Sequence, residues 1–413
     1  MLKLLIGVFL FSSVLGILVP YNGLYVFKIS LFAIIIYSII TILKQKKFLE
    51  YLKTVSKVHF FLYFLLVYYM ATYFLVEYSF NDYTHFIRNF IKDILISLVI
   101  IYFISNKIEN LKYTLKILFF AYFVEILFGL LQLYPSIYMP NSTVNYISSI
   151  PTGFMNNRND FGFVLSLITP YILFLIKNKK LQYILLALIL IIILFIGSIV
   201  ALICFNLAII IYFIINKQFK NMMYIYSIFI VLFIIASSVN ILPKTIANKV
   251  FNIEKIVNYI NPDAKSSNLT GSAKHKHQVI KISLNKLKTI QYIGVGAGQS
   301  YSVLKEHSSE LDEKNYSVHS FWVEMFMESG IYFFVLFLIF YIYLIIRNFQ
   351  IFLNCKNHYL SYVAISNSVA LIVFILASNS PSSVFHIYTT WILFGLSIAT
   401  LSISNVKQIK GSK

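Results

Sequence analysis

Residues 181–216 read LQYILLALILIIILFI, then Gly197-Ser198, then IVALICFNLAIIIYFIIN, and they decide the solvent in which this chain folds. Neither run contains a charged side chain. An apolar run of about 18 residues is long enough to cross a bilayer as a helix. Outward from this pair, similar runs cover 3–20, 22–43, 58–78, 86–105, 113–136 and 159–176 on one side. On the other they cover 222–241, 322–346, 359–378 and 385–403. With 181–196 and 199–216 these predict about twelve transmembrane helices, an all-α polytopic membrane protein. Of the 413 residues, 59% are hydrophobic and 12% charged, which excludes a soluble multi-domain enzyme and a disordered chain.

Lysine placement predicts the orientation. The loops at Lys44, Lys46 and Lys47, at Lys107 and Lys112, at Lys177 to Lys180 and at Lys217 and Lys220 concentrate positive charge, as does the tail. The intervening turns at 20–22, 79–85 and 379–384 hold no lysine or arginine. By the positive-inside rule both termini face the cytoplasm. The net charge of +19 then reads as topology, and no nucleic-acid partner is expected. The organisation expected is helices 1–9 over 1–241 with an outer loop at about 137–158, a large extracytoplasmic loop at 242–321, and helices 10–12 with a cytoplasmic tail over 322–413. Within the large loop, Ile246, Val250, Ile253, Val257 and Ile260 recur at helical spacing, and so do Ile280, Leu284 and Leu287. Both read as amphipathic helices on the outer membrane face. Cys204 and Cys355 fall in a span and an inner loop, so no disulfide is expected.

Arginine is scarce: Arg88, Arg158 and Arg347 are the whole set. Arg88 and Arg158 lie at outer ends of predicted spans, where topology needs no positive charge. A guanidinium grips phosphate oxygens through a planar fork, so these two are candidates for a phosphate site, with Lys92 one turn from Arg88. Snorkelling to lipid headgroups is the alternative. Asp93 and Glu125 lie deeper, where an ionisable group needs a partner, and Glu125 is expected to balance Lys92 or an arginine across a groove or to serve in a buried ion pair. His319 stands where the large loop re-enters the membrane, placed for general-base work or for capping a helix. The His275-Lys276-His277 spacing does not suit a two-histidine clamp, so no metal is expected. Gly294-Val295-Gly296-Ala297-Gly298 reads as a tight turn.

Taken in order, Gly294-Val295-Gly296-Ala297-Gly298, then His319-Ser320-Phe321-Trp322-Val323-Glu324, then Glu328-Ser329-Gly330-Ile331 resemble the O-antigen ligase/polymerase superfamily. The similarity is closest to Wzy-type polysaccharide polymerases. Pro151-Thr152-Gly153-Phe154-Met155-Asn156-Asn157-Arg158-Asn159-Asp160-Phe161 is similar to that family's G-x-F-x-N-x-N-D approach to a central span. There are departures. Ser320 replaces the usual asparagine, Ser198-Ile199-Val200 lacks the family's arginine, and only Lys274 or Lys276 matches its loop arginine.

The resemblance implies a GT-C-like fold and a cofactor-free, metal-independent glycosyltransferase in a bacterial cytoplasmic membrane. The donor would be an undecaprenyl-diphosphate-linked glycan and the acceptor a second glycan, with membrane lipid, a flippase and a chain-length regulator as partners. It implies His319 as general base with Glu324 the second choice. Arg88, Lys92, Arg158, Lys274 and Lys276 would hold diphosphate, with Asn157, Asn159, Asp160, Gly296 and Glu125 supporting. Ligase-type transfer of a finished glycan is the alternative within the family. A lipid-linked oligosaccharide flippase is the alternative outside it, and would be expected to show two similar halves.

Overall fold

A chain in lipid must satisfy its backbone internally, and an apolar chain does so as helix. In the computed structural model every regular element among the described residues is helical. Those residues are 2–15, 28–34, 36–37, 57–104, 107–134, 150–155, 157–221, 223, 227, 272–311 and 316–411. The expected span at 222–241, most of those at 22–43 and 137–158, and residues 242–271 with their isoleucine repeat lie outside them.

The helices are α1 (Leu2–Val14), α2 (Phe60–Ala71), α3 (Phe80–Ile104), α4 (Ile108–Leu131), α5 (Arg158–Leu175), α6 (Lys179–Ile196) and α7 (Ile199–Ile215). They continue as α8 (Ser272–Thr289), α9 (Ser300–Glu306), α10 (Phe321–Asn354), α11 (His358–Ala377) and α12 (Tyr388–Gly411). Five helical stretches, at 57–75, 108–131, 179–196, 321–354 and 358–377, are long and apolar enough to cross a membrane. This is the make-up of a polytopic membrane protein. The expected boundaries shift by a few residues, most at α10 and α12, which run on to Asn354 and Gly411 rather than ending near 346 and 403. Local chemistry sets several ends. Asn157, Asn178, Ser198 and Asn357 each accept a backbone N–H from the first turn of the helix they precede.

α11 is the hub. Of its apolar window 78% is buried, against 28–44% in the other four, and it packs on α5, α7, α10 and α12. A polar layer ties these neighbours together. Asn367 donates to Asn348 Oδ1 at 3.1 Å and to Thr400 Oγ1 at 3.0 Å, and accepts from Tyr171 at 2.6 Å. Side-chain hydrogen bonds between helices are a common device in bilayers, each contributing about 0.6 kcal/mol.

The glycine string does more than turn. Residues 292–296 lie along a break in α10, where Gly330 leaves helical geometry at φ 73°. Val295 N donates to Met327 O at 2.9 Å, Gly296 N to Glu328 O at 3.1 Å, and Ile331 N to Tyr292 O at 2.9 Å. A Cβ on Gly330 would stand 2.0 Å from Ile293 O, and one on Gly294 would stand 2.6 Å from Gly330 N. The two glycine motifs are therefore two sides of one backbone contact that no side chain can enter. On its far side the string docks on the start of α3. Ala297 N donates to Thr72 Oγ1 at 3.0 Å, and the Gln299 amide bonds both backbone groups of Ser79 at 2.9 Å.

α8 is a helix over the expected repeat; Ile280 and Leu284 are exposed on it, while Val279, Ile282 and Leu287 form a face buried within the fold. The face is set by packing against α9 and α10, which turns Val279 and Ile282 toward Leu304 and Val318.

Candidate functional site at the 378–383 loop

Between α11 and α12 lies Ser378-Asn379-Ser380-Pro381-Ser382-Ser383, a polar run between two apolar helices. Motifs scattered along the chain meet on it. Phe321 N donates to Ser378 O at 3.1 Å, which anchors the start of α10. Ser320 Oγ donates to Asn379 Oδ1 and Lys276 Nζ to Asn379 O, both at 2.6 Å. The hydroxyls of Ser198 and Ser380 are 3.4 Å apart. The His319 ring hydrogen-bonds the Pro381 backbone, and the backbone of Ser382 lies beside the Asp160 carboxyl. Ser383 Oγ bonds both Glu324 oxygens, at 2.9 and 3.1 Å.

Beyond Ser383 opens a cavity of about 310 Å³. Glu324 and Glu328, one turn apart on α10, form one wall with Ser300 and Gly298. Ser300 Oγ donates to Glu328 Oε1 at 2.8 Å, whereas Glu328 Oε2 is buried with no hydrogen-bond partner. Asp82, His85 and His386 face them. Behind His386 lies Asp93, 1% exposed, its Oδ2 3.8 Å from His386 Nδ1. That pairing supplies the partner that a carboxyl at this depth in α3 requires.

The two motif candidates for proton transfer fall on opposite sides of the loop. Glu324 lines the cavity; His319 does not, and Glu324 is oriented by Ser383 rather than by His319. His319 adopts the left-handed backbone region at φ 54°, a conformation few non-glycine residues hold without a reason. Burial, helped by the positive charge of Lys276 and by His275, pushes its pKa down to about 4, so the imidazole is neutral at pH 7. Burial alone brings Lys276 down to about 8, still mostly charged at neutral pH.

The remaining predicted residues divide. Lys276 joins His319 at the loop. Lys274 lies two residues before it, in the first turn of α8. Arg158 opens α5 half-buried, next to the capping residue Asn157, whose Nδ2 donates to Asp160 Oδ2 at 2.8 Å. Asn159 lends its backbone N–H to the same cap at 2.8 Å. Arg88 is exposed on α3, and Lys92 donates to Asn89 Oδ1 at 2.5 Å. No hydrogen bond or ion pair among the described residues joins Arg88 to Arg158, and neither lines the cavity. Gly296 supports the wall through the backbone contact above. Glu125 differs from expectation. Among the described residues it pairs with no cation, and its Oε1 accepts Phe154 N at 2.9 Å, pinning the 152–155 turn. A backbone amide meets one oxygen of that carboxyl where a cation was expected, and Oε2 stays without a hydrogen bond.

Sequence reasoning missed His386, Ser383, Asp82, Ser300 and the site role of Glu328. The available signals were the serine-rich run between two spans, and Glu328 at the i+4 position from Glu324.

No curated protein matches the chain. Residues 183–338, from α6 into α10 and spanning the glycine string and the His319 and Gly330 motifs, match the family model described as O-Antigen ligase. That match supports placing the chain in the O-antigen ligase/polymerase superfamily, the one its motifs resemble.

Proposed function

We propose that the protein is a Wzy-type polymerase. It joins undecaprenyl-diphosphate-linked repeat units at the outer face of a bacterial cytoplasmic membrane, with the 378–383 loop at the reaction centre. One observation carries the reading. The family motifs, spread from Asn157 to Gly330, converge on this loop beside a polar cavity at one end of an apolar bundle. Topology by lysine placement puts that end outside, where a lipid-linked donor presents its glycan.

In the reaction an acceptor hydroxyl attacks the anomeric carbon and the C–O bond to the polyprenyl diphosphate breaks. Two tasks follow: the hydroxyl's proton must be taken, and the growing charge on the leaving group met. Glu324 takes the proton, since it opens on the cavity and Ser383 fixes its orientation. Lys276, held on the loop at Asn379 O, meets the diphosphate. His319 is neutral and half-buried, and there it accepts a proton only weakly; it shapes the loop and donates or accepts a hydrogen bond on the leaving-group side.

The test is reconstitution in liposomes with purified lipid-linked repeat units. A ladder of lengthening products is expected, and transfer of one finished chain to a terminal acceptor would make the protein a ligase instead. Glu324→Gln should lower transfer by about 10²–10⁴-fold. If His319→Ala abolishes the ladder and Glu324→Gln does not, the two roles are reversed.

A further inference from the structure

The 378–383 loop separates two kinds of charge. Lys276 reaches it at Asn379, whereas Ser383 turns toward Glu324 and the cavity. Among the described residues, the cavity lining contains three carboxyls, Asp82, Glu324 and Glu328, and no lysine or arginine. The rest is mainly serine, tyrosine and histidine. Its volume of about 310 Å³ is at the lower end of the range for small-ligand sites.

The carboxyls have more acceptor capacity than the fold uses. Asp82 Oδ2 accepts from Ser302 at 2.6 Å, and Glu328 Oε1 from Ser300 at 2.8 Å. Glu328 Oε2 has no hydrogen-bond partner on a side chain that is 0% exposed. Such an unmet acceptor lowers stability, and a ligand donor in the cavity would satisfy it. Tyr301 and Tyr316, whose rings meet edge to face at 5.5 Å, add aromatic surface on which a sugar ring's C–H face can pack.

We propose that this cavity is the acceptor-sugar subsite, and that it takes an uncharged or amino-bearing sugar while refusing acidic ones such as uronates. The word acceptor rests on the transferase reading above; the charge preference rests on the cavity alone. A hydroxyl or ammonium donates to Glu328, while a sugar carboxylate would lose its water beside three carboxyls with no cation to replace it.

The experiment is saturation-transfer NMR on the detergent-solubilised full chain, with three disaccharides at millimolar concentration: a neutral glucose disaccharide, a glucosamine disaccharide and a glucuronate disaccharide. The first two should bind, and the third should be weaker by about tenfold or more. Glu328→Gln should shrink the advantage of the amine over the uronate to a few-fold. His85→Lys, at an exposed position on the cavity lining, should admit the uronate and decides the matter if the buried variant does not fold. Equal binding of all three sugars, no binding of any, or a preference unmoved by these variants would overturn the proposal. Charge selectivity without transfer from lipid-linked units would sink the transferase reading and keep the subsite. Transfer without selectivity would do the reverse.

Discussion

Two buried polar groups in this molecule are built on opposite rules. In the layer around α11, Asn367, Asn348, Thr400 and Tyr171 bond one another, and none of their side-chain polar atoms is left over. Elsewhere among the described residues, buried carboxyl oxygens lack a hydrogen bond: one each on Glu125, Asp160 and Glu328, and both on Asp93, whose Oδ2 has the His386 ring at 3.8 Å. Polar atoms that meet each other hold helices together. Carboxyl oxygens left unmet lower stability, and that of Glu328 stands in the cavity wall. The first group is architecture, and the second includes a wall of the candidate site.

The hardest blow to this contrast is to move the cavity wall itself. Gly330→Ala forces a side chain into the left-handed region and onto Ile293 O, so a loss of about 4 kcal/mol is expected. Thermal inactivation in detergent would report it, and an unchanged midpoint would mean that the glycine contact is not structural.

His319 sharpens the contrast through pH. Its folded pKa, about 4, lies below the ordinary histidine value, so folding favours the neutral ring. The stability tied to it is therefore whole above about pH 6.5 and is lost as the pH falls toward 4, by about 2–3 kcal/mol. Lys276, titrating near 8, remains charged throughout that window and adds no slope there. Melting curves from pH 7 to 4 should flatten in His319→Gln; an identical acid limb would assign the loss to other groups.

The smallest effect is the most discriminating. Asn367→Ala should cost about 1–2 kcal/mol of stability and leave transfer per folded molecule unchanged, because it breaks bonds that are met. Glu328→Gln should cost less, because one of the two carboxyl oxygens has no hydrogen bond to lose. If Glu328→Gln melts lower than Asn367→Ala, the two groups are not built on opposite rules.

Much of the frame was legible in the amino-acid order. Apolar run length marks helices, and the described ones fall where 58–78, 86–105, 113–136, 159–176, 181–196, 199–216, 322–346, 359–378 and 385–403 place them, within a few residues at most ends. Glu324 was legible as a site candidate because its motif is local. The cavity was not, since His386, Ser383, Asp82 and Ser300 come from turns more than two hundred residues apart at the extremes. Nothing in one sequence says which turns share a bundle end. Glu125 was misjudged for a related reason: a backbone amide leaves no trace in the side-chain pattern. α8 carries two apolar stripes, and only its neighbours decide which of them the fold buries.

The backbone seam between 292–296 and 327–331 also bears on how the protein is made. The glycine string reaches back to Thr72 and Ser79, synthesised early, and forward to Met327 and Glu328. It has nothing to lie against on one side until α10 has been inserted. The cavity waits longer still, because Ser383 and His386 belong to the turn that precedes α12. A nascent chain that stops before α12 therefore holds only part of the cavity wall, and the candidate site closes late in synthesis.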